Sequence, residues 1–189
     1  VKHDNVDAVA PKISAGGGTL MFPPMDVMQY GRMLLVQDPE GAPFGVWQPA
    51  EHIGAELVNM PNTVVWNELQ TRQPAAAKAF YESVFDWGSA ADKSGYVTFA
   101  VDGRIQAGMI TMDENWGPEI PANWSVYFMV EDVAAKAELA QKLGGNVMVP
   151  PTQAGEMGIF AVIQDPQGGV FNIMSFSGPV DPPPGYEKA

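Results

Sequence analysis

His3 and His52 are the only imidazoles in this chain, and cysteine is absent. Disulfides, thiolate metal sites and cysteine nucleophiles are therefore excluded. His52 follows Glu51, a pairing that could ligate a metal or shuttle a proton. It stands between the breakers Pro49 and Gly54, where a solvated loop histidine is the plainer expectation. No phosphate-binding glycine loop, dinucleotide fingerprint, nucleophile elbow or zinc motif occurs. The carboxylate with most chemical potential is Glu68, set in an apolar, partly β-branched run over residues 64–69. Buried there, Glu68 could act as a general base. Exposed or paired, it would remain an ordinary acid.

The elements that must position such groups are written in a repeat. Residues 17–47 recur without a gap as residues 144–174, with eleven of thirty-one positions identical at a constant offset of 127. One structural unit is therefore present at least twice. Residues 64–69 read as a strand. Residues 74–85 read as a helix, with Ala77, Phe80, Tyr81, Val84 and Phe85 at helical spacing and Pro74 in the first turn. Residues 96–101 and 105–112 form a predicted hairpin turning at Asp102-Gly103. Residues 124–130 form a strand, and Asp132 caps a helix over 133–143 that Gly144-Gly145 ends. Strands over 147–149, 159–164 and 170–176 follow, with a turn at Asp165-Pro166. Allowing one further short strand in the first half, the order is two βαβββ modules.

At the same offset, residues 6–13 match the second helix, so residues 1–4 match only the end of an opening strand. The expected division is therefore threefold. Residues 1–58 are the C-terminal module of a first domain cut short at its start, 62–177 are a complete two-module domain, and 178–189 are a Pro-rich tail. An unpaired module face on residues 1–58 would be costly to expose. It is expected to pack on an N-terminal portion preceding Val1, on the second domain, or on another chain as a homodimer.

Composition narrows the partners. At 46% hydrophobic and 17% charged the chain can bury a real core. A net charge of −12 argues against nucleic acid and against anionic membranes. No apolar run reaches the roughly 20 residues of a membrane span, and no signal-peptide pattern follows Val1, so a cytoplasmic location is expected.

The chain resembles the vicinal oxygen chelate superfamily, which includes glyoxalase I, bleomycin-resistance proteins and extradiol dioxygenases. The resemblance is carried by Trp66-Asn67-Glu68-Leu69-Gln70-Thr71, by Ala79-Phe80-Tyr81 with Val84-Phe85 and Trp87, and by Tyr127-Phe128 with Val130-Glu131-Asp132-Val133. Gly144-Gly145, Pro150-Pro151 and the twin Asp-Pro turns at Asp165 and Asp38 complete it. It implies an α+β fold in which repeated βαβββ modules pair into a curved, cup-shaped sheet with helices outside. It also implies metal ligands on the first and last strands of each module. The matching positions here are Trp66, Ser125 and Asn172 in the complete domain, with a fourth near Thr111, and Gly45 in the truncated one; Trp, Ser and Asn do not make the roughly three His or carboxylate ligands of a catalytic divalent site. No metal and no cofactor is therefore expected.

If position 66 faces the cup, strand alternation places Glu68 inside with it, and puts Val65 and Leu69 on the helix side. Ser125, Tyr127, Met129, Asn172 and Met174 face inward by the same parity. Trp66, Tyr127, Met129 and Met174 would give an aromatic and thioether lining, with Glu68, Ser125 and Asn172 as polar groups. The leading expectation is a metal-free, glyoxalase-like protein that binds a small, mainly apolar organic molecule. Two alternatives stand beside it. One is a lyase or isomerase acting on an α-oxo or hydroxy substrate, with Glu68 as the candidate catalytic residue. The other is a non-catalytic structural or interaction protein whose cups are filled.

Overall fold

The structure, a computed structural model, describes residues 1–178. Apart from Gly178, the Pro-rich tail expected over residues 178–189 lies outside the described residues. The chain divides into two compact units, residues 1–54 with 68–124, and residues 55–67 with 125 onward.

The first unit opens with helix α1 (Val6–Ala15), whose N-cap Asn5 accepts the Ala8 N–H at 2.9 Å. Strands β1 (Thr19–Leu20), β2 (Met25–Val27), β3 (Gly31–Gln37) and β4 (Pro43–Pro49) follow, and β3 pairs with the other three. A second set comprises β5 (Val64–Thr71), α2 (Pro74–Phe85), β6 (Gly88–Ala91), β7 (Val97–Val101) and β8 (Arg104–Thr111). Here β5 lies parallel to β8, with Glu68 opposite Gly108, and β8 and β6 each run antiparallel to β7. Asp102 and Gly103 both take positive φ, the backbone of the expected two-residue hairpin turn. β6 is the short strand that sequence reading left undelimited, because Gly88-Ser89-Ala90-Ala91 lacks the β-branched and aromatic residues that mark strands.

In the second unit β9 (Asn123–Met129), α3 (Val133–Lys142), β10 (Asn146–Ala154), β11 (Gly158–Gln164) and β12 (Val170–Phe176) form the third set, with Asn123 and Trp124 counted in the first unit. β11 lies between β10 and β12, and β12 runs parallel to β9. β10 extends well past the expected 147–149, through Pro150-Pro151. Register shifts on either side of Val149 absorb the prolines, which a strand paired mainly on one side tolerates.

The repeat holds down to hydrogen-bond register. Gly158 opposite Phe176 becomes Gly31 opposite Pro49, and Thr152 opposite Phe160 becomes Met25 opposite Met33. Met129 opposite Met174 becomes Lys2 opposite Trp47, so residues 1–3 occupy the place of the end of an opening strand. The caps correspond as well, since Asp132 accepts the Ala135 N–H as Asn5 accepts that of Ala8. The fold is thus α+β and built of βαβββ modules.

Each helix covers a face of its own sheet. In the first unit α1 also meets α2, because Gly16 and Gly18 carry no side chain. A Cβ on Gly16 would lie 3.1 Å from the Phe80 side chain, and one on Gly18 would lie 3.0 Å from it. Phe44 stands edge-on to Phe80 and Phe85 and tilted against Tyr81. Tyr81 is the polar hub of this core. It donates to Asp38 and accepts from the Trp124 indole. Burial, and then the Asp38 carboxyl group, hold its phenol well above the ordinary range. Asp38 Oδ1 accepts the backbone N–H groups of Glu40, Gly41 and Ala42, fixing the turn. From the same turn Glu40 reaches the start of α2, where Gln73 makes no side-chain cap. Glu40 accepts the N–H groups of Arg72 and Gln73 and the Thr71 hydroxyl. A residue of the first module therefore caps the helix of the second.

Candidate functional site

The second unit brings together most of the residues named from sequence. Ser125, Tyr127 and Met129 stand at alternate positions on β9, and Asn172 and Met174 stand on the parallel neighbour β12. Register sets Asn172 opposite Tyr127 and Met174 opposite Met129. Trp66 joins them from residues 55–67 and packs against a cluster whose buried members are Val65, Tyr127 and Met174. The other face of β12 supplies Ile173 to the α3 core, with Val133, Ala137, Ala161 and Ile163. The alternation is thus obeyed on β9 and β12.

One sequence assignment is corrected. Leu69 enters the helix-side core as parity requires, but Val65, assigned to the same side, is buried with Tyr127 and Met174. Sequence reasoning also missed Phe160, Phe176 and Ala154, which pack against the same cluster. Phe160 lies opposite Met174 on β11, and the alternation already used for β12 would have found it.

Asn172 is 1% exposed and Ser125 8% exposed, and the two satisfy each other. Asn172 Nδ2 donates to Ser125 Oγ, and more weakly to the Val126 carbonyl at 3.4 Å. These are two of the positions where the resemblance implies metal ligands. Neither is a His nitrogen or a carboxylate, so the pair supplies none of the ligand types that a catalytic divalent site is built from. The third such position is Trp66, which has none, and Gly45 has no side chain to offer; a Cβ built there would lie 3.6 Å from the Leu35 side chain. Among the described residues no group of three or more His, Cys, Asp or Glu could hold a metal. His3 Nδ1 accepts the Asn5 N–H, and His52 lies edge-on to Trp47, which donates its indole N–H to the His52 carbonyl. The residues present do not fit the metal.

Where the cluster ends, a cleft of about 280 Å³ opens, walled by Met129, Phe176, Ser175, Glu131, Asn59 and Pro61. Met129 and Phe176 belong to both cluster and cleft, so an apolar wall runs from the cleft toward Met174 and Phe160. Glu68 belongs to the first unit. It is 8% exposed and accepts the Tyr96 hydroxyl at 2.9 Å, a partner that sequence reading did not name.

A family model described as the Glyoxalase/Bleomycin resistance protein/Dioxygenase superfamily matches residues 60–173. "Putative glyoxylase CFP32" of Mycobacterium tuberculosis is 42% identical over 176 residues, covering 90% of this chain and 66% of that protein. "Anthracycline biosynthesis protein DnrV" of Streptomyces peucetius is 32% identical over 174 residues, covering 90% of this chain and 62% of that protein. This chain thus spans about two thirds of the length of these relatives or less. Among solved structures, the Mn(II)-bound glyoxalase of Novosphingobium aromaticivorans shares the fold, with a TM-score of 0.62 at 17% identity over 95% of this chain and 62% of that one.

Proposed function

This chain belongs to the glyoxalase/bleomycin resistance protein/dioxygenase superfamily, and from that premise we propose that it binds a small, mainly apolar organic molecule without a metal. The supporting observation is the Asn172–Ser125 hydrogen bond, which occupies with a neutral pair the positions where the family resemblance implies chelating side chains. Around it Trp66, Tyr127, Met129 and Met174 offer aromatic and thioether surface. Flat aromatic molecules suit such a wall, because ring faces stack and methionine conforms to irregular edges. The name of the Streptomyces relative places that protein in the making of anthracyclines, which agrees with a ligand of this kind.

A ligand would enter at the cleft and meet Met129 and Phe176 first. The neutral fluorophore N-phenylnaphthylamine tests this. Saturable one-to-one binding, unchanged by chelator and weakened several-fold by Met129→Lys, is the expected result. The rival reading of a filled interior draws on the burial of Met174 (5% exposed) and Asn172; it predicts no saturable binding. Stoichiometric divalent metal retained through gel filtration would exclude the metal-free reading.

A further inference from the structure

Two thioethers stand side by side on the small sheet of the first unit. Met25 on β2 lies directly opposite Met33 on β3, and Met33 in turn lies opposite Trp47 on β4. Residues in register across a sheet share one face, with Cβ atoms about 4.5–5.5 Å apart. The alternate positions Leu34, Val36 and Val46 enter the core beneath α1, so Met25, Met33 and Trp47 face away from that helix. The Trp47 indole runs along β3 over Gly31, where a Cβ would come within 2.5 Å of its six-membered ring. Its N–H donates to the His52 carbonyl at 2.8 Å, and the His52 ring stands edge-on to it with centroids 6.1 Å apart. The His52 backbone N–H donates to the Tyr30 carbonyl at 3.1 Å, which ties this loop to the turn between β2 and β3. Met33 and Trp47 are half-buried, whereas Met25 and His52 are exposed.

Packing asks only for apolar bulk, but these side chains also carry soft donors. Thioether sulfur suits Cu(I) and its heavier congener Ag(I), and imidazole suits copper as well, whereas Mg, Ca and Mn prefer oxygen. An indole face attracts a cation placed over it. Cysteine is absent from the chain, so methionine is the softest ligand available. Every donor in the group is neutral, and the net charge of −12 favours the approach of a small cation. We propose that Met25, Met33 and His52 bind a soft monovalent cation, Cu(I) or Ag(I), against the ring of Trp47. None of the four stands where the family resemblance implies a metal ligand, and a thioether-rich set differs in kind from the His and carboxylate set of a divalent site. The proposal stands on the first unit's residues alone and does not rest on the reading of the second unit.

NMR of the whole chain, labelled with 13C at the methionine methyl groups and with 15N, tests it by titration with Ag(I), which needs no reductant. Up to one equivalent, the Met25 and Met33 methyl signals should shift together with the Trp47 indole N–H. Met157, an exposed methionine of the second unit, reports what a single thioether does, and should respond only at about tenfold higher silver or more. Met33→Leu keeps the bulk and loses the sulfur. His52→Ala keeps the backbone carbonyl that holds the Trp47 indole. Each should weaken silver binding by about tenfold or more. Zn(II) and Mn(II) should leave the Met25 and Met33 methyl signals in place. Met157 shifting in step with Met25 and Met33, an affinity unchanged in Met33→Leu or in His52→Ala, or the same shifts with Zn(II) or Mn(II) would each overturn the proposal. Should Met33→Leu fail to fold, Met25→Leu removes the other sulfur at an exposed position, and an unchanged affinity there counts against the proposal. The Asn172 side-chain amide and the Trp66 indole report separately on the second unit, so failure of either reading is visible by itself.

Discussion

The Tyr81 hydroxyl donates to Asp38 Oδ2 at 3.2 Å, tying helix α2 to the turn that closes the preceding module. The same oxygen accepts the Trp124 indole N–H at 2.8 Å. Replacing Tyr81 by Phe keeps the ring stacked on Trp87 but leaves an indole donor and a carboxyl oxygen unmatched in the core. Leaving buried groups unmatched costs about 1–3 kcal/mol. Tyr81→Phe should therefore lower the unfolding free energy by that amount, read as a lower urea midpoint with an unchanged slope.

Asp38 also makes stability depend on pH. Burial raises its pKa above the ordinary 3.8, and its backbone donors and Tyr81 offset this only in part. Through the interval starting at 3.8, the folded chain holds a proton that the unfolded chain has released. Asp38's contribution to stability must therefore fall as pH rises through that interval and level off above the folded pKa. Asp7 and Asp92 have lowered pKa values and slope the other way, losing their contribution in acid. Comparison with Asp38→Asn isolates the one residue. The difference between parent and variant should be most favourable to the parent in acid and decline to a plateau; a difference that grows with pH would refute the assignment.

The repeat was legible because register obeys it. Gly17 and Gly144 both end a helix at a φ of +90°, and the Asp-Pro turns at Asp38 and Asp165 both gather backbone N–H groups on one carboxylate oxygen. That Tyr127, Met129, Asn172 and Met174 share one face of β9 and β12 was legible from period-two alternation. Val65 was not, because its burial with Tyr127 and Met174 is a tertiary contact that alternation along one strand does not record. Tyr96 was not, because its partner Glu68 lies two strands away and pairing order is not written locally. Glu40 as the cap of α2 was equally hidden, since capping is sought within a few residues of a helix and Glu40 acts across more than thirty.

The twin glycines at the start of β3 and β11 should be intolerant of any side chain. Gly158 has a φ of +153°, and a Cβ there would lie 1.9 Å from the Ser175 carbonyl oxygen. At Gly31 the corresponding Cβ would meet the Gln48 carbonyl oxygen at 2.5 Å. Backbone cannot yield as a side chain can, so Gly158→Ala should cost at least the roughly 1–3 kcal/mol of an overpacked core. Gly155 is the control, since nothing lies within 4 Å of its Cβ position and only its left-handed backbone opposes alanine. That change should cost about 1–2 kcal/mol. Thermal midpoints of the two variants give the order, and a Gly155→Ala loss larger than that of Gly158→Ala would show the strand start to be looser than its register implies.

Asn172 allows the sharpest test of the metal-free reading. Asn172→Ala removes the donor to Ser125 and leaves a buried hydroxyl unmatched, so a stability loss of about 1–3 kcal/mol is expected. Asn172→Asp instead restores a ligand-type carboxylate at a position where the family resemblance implies one. It should still not create a manganese site, because Trp66 supplies no lone pair, Ser125 is a weak neutral donor, and about three His or carboxylate ligands are required. Elemental analysis after exposure to Mn(II) should find no stoichiometric metal in either the parent or Asn172→Asp. Ser125→His with Asn172→Glu adds two real ligands but leaves Trp66 in place, so its affinity should remain weak until Trp66→His completes the set. Tight binding already in Asn172→Asp would mean that other side chains close the coordination sphere, and the neutral Asn172–Ser125 pair could then no longer be read as the end of metal chemistry here.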